Sequence, residues 1–293
     1  MISRAQASLT PSESKRLIAR AVLGMDVVKR ALEEGVVVIH PSTTTLYIME
    51  EIVGERPKGK FVSGVIVPTG TCISAESHRH IKSEGVLSTV GKFRPWVIER
   101  GEVKRDVRLR DALGKMGRND VYIKAGNAID PGGNVGVFIG HPLGGTIGQA
   151  YASCKARGWN LIIPIGLEKL IPVSVRMATR EAGIEKMDYS MGMPVGLLPI
   201  DGIVVTEVEA IRILTGSEAT PIGAGGVNGA EGSITLVIRG EADRVMEAIR
   251  VINEVKGTKT PRVALSDCST CIWPTCPRRG IKRTPFISSK RAQ

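Results

Sequence analysis

The sequence predicts an α/β protein, a mainly parallel doubly wound sheet with a smaller ferredoxin-like α+β second domain. Two observations carry this. Short, wholly apolar, β-branched runs such as Val36-Val37-Val38-Ile39 and Leu161-Ile162-Ile163 suit strands buried on both faces, as parallel sheets require. Stretches of helical periodicity alternate with those runs, which implies helices packed on a mainly parallel sheet.

The elements follow in order. Thr10-Pro11-Ser12-Glu13 places a capping hydroxyl, a proline at the first helical position and a carboxylate three residues on, so a helix begins there. Leu17, Ile18, Ala21 and Val22 continue it at helical spacing, and Val28 and Leu32 mark a second helix closed by Gly35. The strand at 36–39 turns through His40-Pro41-Ser42-Thr43-Thr44-Thr45 into a helix with Leu46, Ile48, Met49 and Ile52. Further strands are expected at 64–68, 121–123, 135–139 and 161–165, with a helix from Thr146 to Arg157 before Gly158. After about Pro194 the order becomes β-α-β-β-α: 202–206, 207–214, 219–222, 233–239 and 242–255, as in a ferredoxin-like unit. The expected division is 1–196 for the ligand-binding domain, 197–258 for the small domain and 259–293 for a cysteine-containing basic tail.

Composition narrows the function classes. Of 293 residues 42% are hydrophobic and 24% charged, an ordinary globular balance. Charges or prolines interrupt every apolar run, so no membrane span is expected. Met1–Thr10 lacks the apolar centre of a secretory signal, and five cysteines, an odd number, make a poor disulfide framework. Both point to a cytoplasmic protein. The net charge of +11 suggests nucleic acid, but six of those charges (Arg278, Arg279, Lys282, Arg283, Lys290 and Arg291) sit in a tail free of acids. With aromatic residues at 4%, base-stacking platforms are scarce, and nucleic acid is not an expected partner.

Three strand-to-helix or strand-to-loop turns carry candidate chemistry. In open α/β sheets, ligands lie beyond the carboxyl ends of strands, where free N–H groups and the helix dipole favour anions. The first turn, from His40 to Thr45, offers the hydroxyls of Ser42, Thr43, Thr44 and Thr45, more than one helix cap uses. A single capping role for Ser42 or Thr43 is the plainer reading. The second, Lys124 to Asn134, brings Lys124, Gly126, Asn127 and Asp130 together beside glycines. An ordinary Asp-Pro-Gly-Gly turn, with Asp130 bonding its own backbone, explains it equally well. The third runs from Gly140 to Gly148 and includes His141, Gly144, Gly145 and Thr146.

These segments resemble the superfamily of ribose-5-phosphate isomerase, glucosamine-6-phosphate deaminase, the CoA transferases, and the methylthioribose-1-phosphate isomerases with their translation-factor relatives. Residues 36–45 are similar to its early strand and Gly-Ser/Thr-Thr phosphate turn. Residues 120–130, DVYIKAGNAID, are similar to its central strand and Gly-Ala-Asp turn, and 134–165 to the segment that follows. The resemblance spans roughly 35–165 and implies a phosphorylated ligand (sugar phosphate, nucleotide or CoA ester), with isomerase- or transferase-type acid/base chemistry. Where those isomerases carry paired acids, this chain has Lys124 and Asn127. Asp130 alone stays in register, and the transferases' covalent glutamate has no counterpart. Asp130, His40 and His141 are the candidate acid/base residues. Ser42–Thr45 and Gly144–Thr146 would grip phosphate, Lys124 would neutralise it and Asn127 would orient the ligand. A non-catalytic ligand sensor or regulatory subunit of the same fold is one alternative, and a zinc or iron–sulfur protein centred on the cysteine tail is another. The expected partners are a phosphorylated small molecule and a second copy of the chain.

The tail motif Cys268-x2-Cys271-x4-Cys276 has the spacing of thiolate ligands to zinc or an iron–sulfur cluster. A fourth ligand is missing locally, and Asp267, Cys72, Cys154 or a partner subunit could supply it. Three free thiols in a flexible basic tail is the other reading. His78-Arg79-His80, downstream of Cys72, reads as two solvent-facing histidines on a loop.

Overall fold

A computed structural model describes residues 1–57, 64–85 and 89–280. The basic tail beyond 280, with Lys282, Arg283, Lys290 and Arg291, lies outside them. In chain order the elements are β1 (Ile2–Leu9), α1 (Pro11–Gly24), α2 (Asp26–Glu34), β2 (Val36–Ile39), α3 (Thr45–Val53), β3 (Gly64–Val67), β4 (Gly70–Ile73), α4 (Ala75–Glu84), α5 (Thr89–Lys92), β5 (Trp96–Glu99), β6 (Glu102–Lys104), α6 (Leu109–Lys115), β7 (Val121–Ile123), β8 (Ala128–Ile129), β9 (Val135–Ile139), α7 (Gly145–Arg157), β10 (Asn160–Pro164), α8 (Val175–Glu181), β11 (Gly196–Ile200), β12 (Ile203–Val205), α9 (Glu207–Thr215), β13 (Glu218–Gly225), β14 (Ser233–Glu241) and α10 (Ala242–Val255).

The largest sheet runs β12-β10-β7-β2-β5-β6. Its first four strands are mutually parallel, and β5 and β6 add antiparallel partners at one edge. Successive side chains of β2 and β7 enter opposite cores. Val37, Ile39, Val121 and Ile123 pack with α1, α3 and α9 on one face. Val36, Val38 and Tyr122 pack with α6 and α7 on the other. Burial on both faces is why these strands read as unbroken apolar runs. The helix starts are as the sequence implies. Thr10 Oγ1 accepts from Glu13 N while Thr10 N donates to Glu13 Oε2 at 2.9 Å, and Thr206 with Glu209 repeats the device at α9.

Three expectations change. First, β9 is the middle strand of an antiparallel set, β11-β9-β8, instead of a member of the parallel sheet. The Asp130–Asn134 turn folds β8 back onto β9 as a hairpin, and an apolar run of five residues looks the same in either kind of sheet. Second, β3 pairs antiparallel with β4 in a two-stranded hairpin. Gly70 there has φ +109°, and a Cβ would sit 1.4 Å from the Met191 carbonyl oxygen, so only glycine fits.

Third, the ferredoxin-like strand order is not formed. β12 joins β10 in the large sheet, and the small antiparallel sheet is β1-β14-β13, with the N-terminal strand paired to β14 from Ile2↔Glu241 to Leu9↔Ile234. Leu9, Leu236, Ile238, Val245, Ala248 and Ile252 belong to the same buried cluster as Val37 and Ile39 of β2. Residues on either side of position 196 therefore share sheets and a buried core. Among the described residues no helix is long and apolar enough to cross a membrane.

Candidate functional site

Four parallel strands end on one edge, and each delivers a polar residue within a few positions. β2 is followed by His40, β7 by Lys124, β10 by the segment leading to Glu168 and Lys169, and β12 by Thr206 and Glu207. Across this edge lies the start of α7.

His40 is the centre of the group. Its ring is 1% exposed and stacks on Phe93 with centroids 4.9 Å apart. Nδ1 lies 3.0 Å from the Pro41 carbonyl oxygen and Nε2 2.8 Å from Thr146 Oγ1. Burial, and then the Lys124 charge, hold its pKa well below the ordinary histidine value, so the ring is neutral. Nδ1 thus faces both the Pro41 carbonyl oxygen and the Lys124 amine, while Nε2 and the Thr146 hydroxyl share one hydrogen bond whose donor follows the tautomer.

Lys124 Nζ lies 3.3 Å from His40 Nδ1. The side chain is buried, and burial followed by the charge of Lys169 brings its pKa down to about 7. No carboxylate pairs with it among the described residues. Lys169, half-buried, donates to the Gly126 carbonyl oxygen at 2.9 Å, and burial lowers its pKa to about 8 against the opposing pull of Glu168. Glu168 pairs with Lys15 at 3.1 Å. Glu207, 1% exposed, accepts from Leu167 N with both oxygens at 3.2 and 2.9 Å, and its pKa is pushed up to about 7 by burial and by Glu168. The edge thus holds two amines of weakened basicity and one reluctant carboxylate.

The first and third turns meet through the His40–Thr146 contact, and the second joins them through Lys124. The other expected residues divide. Ser42 and Thr45 close their own turn: Ser42 Oγ accepts from Thr45 N at 3.0 Å, and Thr45 Oγ1 donates to the His40 carbonyl oxygen at 2.6 Å. Thr43 is half-buried. Thr44 is fully buried, and its Oγ1 has no hydrogen-bond partner among the described residues. Gly144 and Gly145, at φ +78° and +61°, bend the chain into α7, whose first-turn N–H groups have no intrahelical acceptor.

The remaining candidates organise loops. Asp130, expected as acid/base, accepts from Gly132 N, Asn134 N, Asn134 Nδ2 and Val175 N at 2.9–3.0 Å. Burial raises its pKa, but the bonds from Val175, Asn134 and Gly132 outweigh that and leave it lowered. Asn127 Oδ1 accepts from Phe138 N at 3.0 Å, and a Cβ at Gly126 would come within 2.4 Å of Val135. His141 Nδ1 accepts from Leu143 N at 3.0 Å. His78 lies buried in α4, not on a loop, and its Nε2 accepts from Ile272 N. Cys268, Cys271 and Cys276 share none of the His40 contacts; Cys271 and Cys276 pack instead against the cluster of Ile73, at the end of β4, and Trp273.

Sequence reasoning missed Lys169, Glu207 and Phe93. The strand-end rule that selected Lys124 also applied after β10 and β12, so Lys169 and Glu207 were within its reach. Phe93 had no such signal. No protein-family model matches the chain, and no curated protein matches it.

Proposed function

We propose that the chain binds a phosphate-bearing small metabolite at the carboxyl edge of its parallel strands. One observation carries this: Lys124 is a buried amine with no carboxylate partner among the described residues, set beside a neutral histidine whose other nitrogen meets Thr146 at the start of α7. A buried cation left unpaired is costly, and an anion drawn to that edge offsets the cost. The first N–H groups of α7, that of Thr146 among them, would donate to the phosphate oxygens, and Lys169 adds a second positive charge. The reading agrees with the resemblance to the sugar-phosphate isomerase and CoA-transferase superfamily, whose doubly wound sheet places phosphate at such turns.

Within this reading His40 is the acid/base residue, because the oxygens of Asp130 and Nδ1 of His141 are committed to their own loops. A neutral imidazole can serve as a general base through its unprotonated nitrogen.

The test is thermal unfolding with inorganic phosphate, ribose 5-phosphate, AMP or coenzyme A, and with ribose as the unphosphorylated control. At least one phosphate compound is expected to raise Tm by mass action, ribose to have no effect, and Lys124→Met to lose the rise while remaining folded. An equal rise in Lys124→Met, or no rise with any phosphate compound, overturns the proposal.

A further inference from the structure

The chain beyond α10 returns across the molecule and is pinned at several points. The Lys259 carbonyl oxygen accepts from Tyr47 Oη at 2.9 Å, and the Thr260 and Ser12 hydroxyls lie 2.9 Å apart. The Ala264 carbonyl oxygen then accepts from Ala75 N at 2.8 Å, Leu265 bridges Ser74 antiparallel, and Ser266, 2% exposed, donates to the Ile73 and Ser74 carbonyl oxygens. The bridge Ser74↔Leu265 brings the chain just before Cys268 alongside the end of β4, two residues from Cys72.

The cysteine loop folds onto the same spot. Asp267 Oδ1 accepts from Ser269 N at 3.0 Å and caps a single 3₁₀ turn, Cys268–Thr270. Gly280 N donates to the Cys268 carbonyl oxygen at 2.7 Å and closes the loop. Trp273, 6% exposed, packs with Ile73, Ile81 and Met193, and Cys271 and Cys276 lie against that cluster. Cys72 is within electrostatic reach of Cys268, Cys271 and Cys276. All four thiols are free and half-buried. The fifth, Cys154, is elsewhere, donating to the Trp159 carbonyl oxygen at 3.3 Å.

We propose that Cys72, Cys268, Cys271 and Cys276 bind one zinc ion, with β4 supplying the ligand that the tail motif lacks. Four thiols on two segments, two of them spaced Cys-x2-Cys, suit the closed tetrahedral shell of a structural zinc site. With Zn–S bonds of about 2.3 Å, tetrahedral geometry sets the sulfurs about 3.8 Å apart. Among the described residues no three His, Cys, Asp or Glu side chains form such a shell, so zinc closes it by thiol rotation and a tightening of the 268–280 loop. Each thiol loses its proton as it ligates, and the resulting dianionic centre lies near Arg278 and Arg279. His78 is not a ligand because its Nε2 holds Ile272 N. Past α10 the described tail has one short 3₁₀ turn and little other regular structure, so a metal clamp between tail and β4 contributes directly to its order.

The experiment uses the full chain purified anaerobically without chelator. Elemental analysis is expected to give one zinc per chain, lost to the same extent in Cys72→Ser and Cys271→Ser and retained in Cys154→Ser. Cobalt titration of chelator-treated wild type, which does not depend on any variant folding, is expected to give the intense near-ultraviolet and visible bands of tetrahedral thiolate coordination. Zinc retained in Cys72→Ser, iron with acid-labile sulfide in place of zinc, or no zinc together with no cobalt bands overturns the proposal. Phosphate binding is read from separate residues, so either proposal can fail alone.

Discussion

His40 Nε2 and Thr146 Oγ1 stand 2.8 Å apart although 106 positions separate them in the chain. The contact ties the end of β2 to the first turn of α7 and makes one site of two loops. A buried imidazole nitrogen depends on that hydroxyl, because burial removes water as a substitute.

Thr146→Val therefore leaves His40 Nε2 without its hydrogen-bond partner. The expected cost is about 1–3 kcal/mol by urea unfolding, with most of it recovered in Thr146→Ser. Equal stabilities for the valine and serine variants would show that the contact carries no weight.

The parallel strands were legible because burial on both faces writes itself into β2, β7 and β10 as uninterrupted valine and isoleucine. β1 was not: its inward positions Ser3, Ala5 and Ala7 are small, so alternation with Arg4, Gln6 and Ser8 leaves little apolar contrast. The small sheet was consequently assigned a strand that belongs to β10. In the site, His40, Lys124 and Thr146 could be named from their places after strands. The coupling of Lys124 to Lys169 depends on how β7 and β10 lie side by side, which no local pattern records. A carboxylate before Pro-Gly-Gly looks the same in the sequence whether it meets substrate or, as Asp130 does, holds its own turn.

Asp130→Asn tests that last point. An amide cannot replace a carboxylate that accepts from Gly132, Asn134 and Val175 at once, since its nitrogen would face other donors. The variant is expected to lose about 1–3 kcal/mol at pH 7. A lowered folded-state pKa gives stability that is present above the usual 3.8 and lost as pH falls through the folded value. The difference between wild type and Asp130→Asn should accordingly shrink below pH 4. An Asp130→Asn protein as stable as wild type at pH 7 would return the residue to the list of reactive groups.

Glu207 behaves in the opposite sense. Its folded-state pKa is raised from 4.5 to about 7, so the folded protein prefers the protonated acid. Stability from this group is full below pH 4.5, falls as pH rises to about 7, and is level above that. Glu207→Gln keeps an oxygen for Leu167 N and removes the buried charge. It is expected to be nearly neutral at pH 4.5 and stabilising by about 1–3 kcal/mol at pH 8. Equal effects at the two pH values would contradict a buried, reluctant carboxylate.

Lys124 gives the sharpest pH dependence of the site. Its pKa falls from 10.5 to about 7, first through burial and then through the charge of Lys169. Between those values the unfolded chain holds a proton that the folded chain does not, so stability rises as pH climbs from about 7 to 10.5. Lys124→Met, which removes the penalty, should exceed wild type in stability by about 2–4 kcal/mol at pH 6, with the margin closing as pH approaches 10. Anion binding runs the other way, since only the protonated amine attracts an anion. Sulfate is the cleaner probe because its charge is constant across this range, whereas a phosphate monoester gains its second charge near pH 6. Sulfate affinity of wild type is expected to be level below pH 7 and to fall above it, with Lys169 moderating the fall until its own pKa of about 8 is passed. In Lys124→Met the affinity should be weak at every pH, and whatever dependence remains should follow Lys169 alone. Isothermal titration with sulfate at pH 6, 7, 8 and 9 measures both curves. Wild-type affinity unchanged from pH 6 to 9 would remove Lys124 from the site.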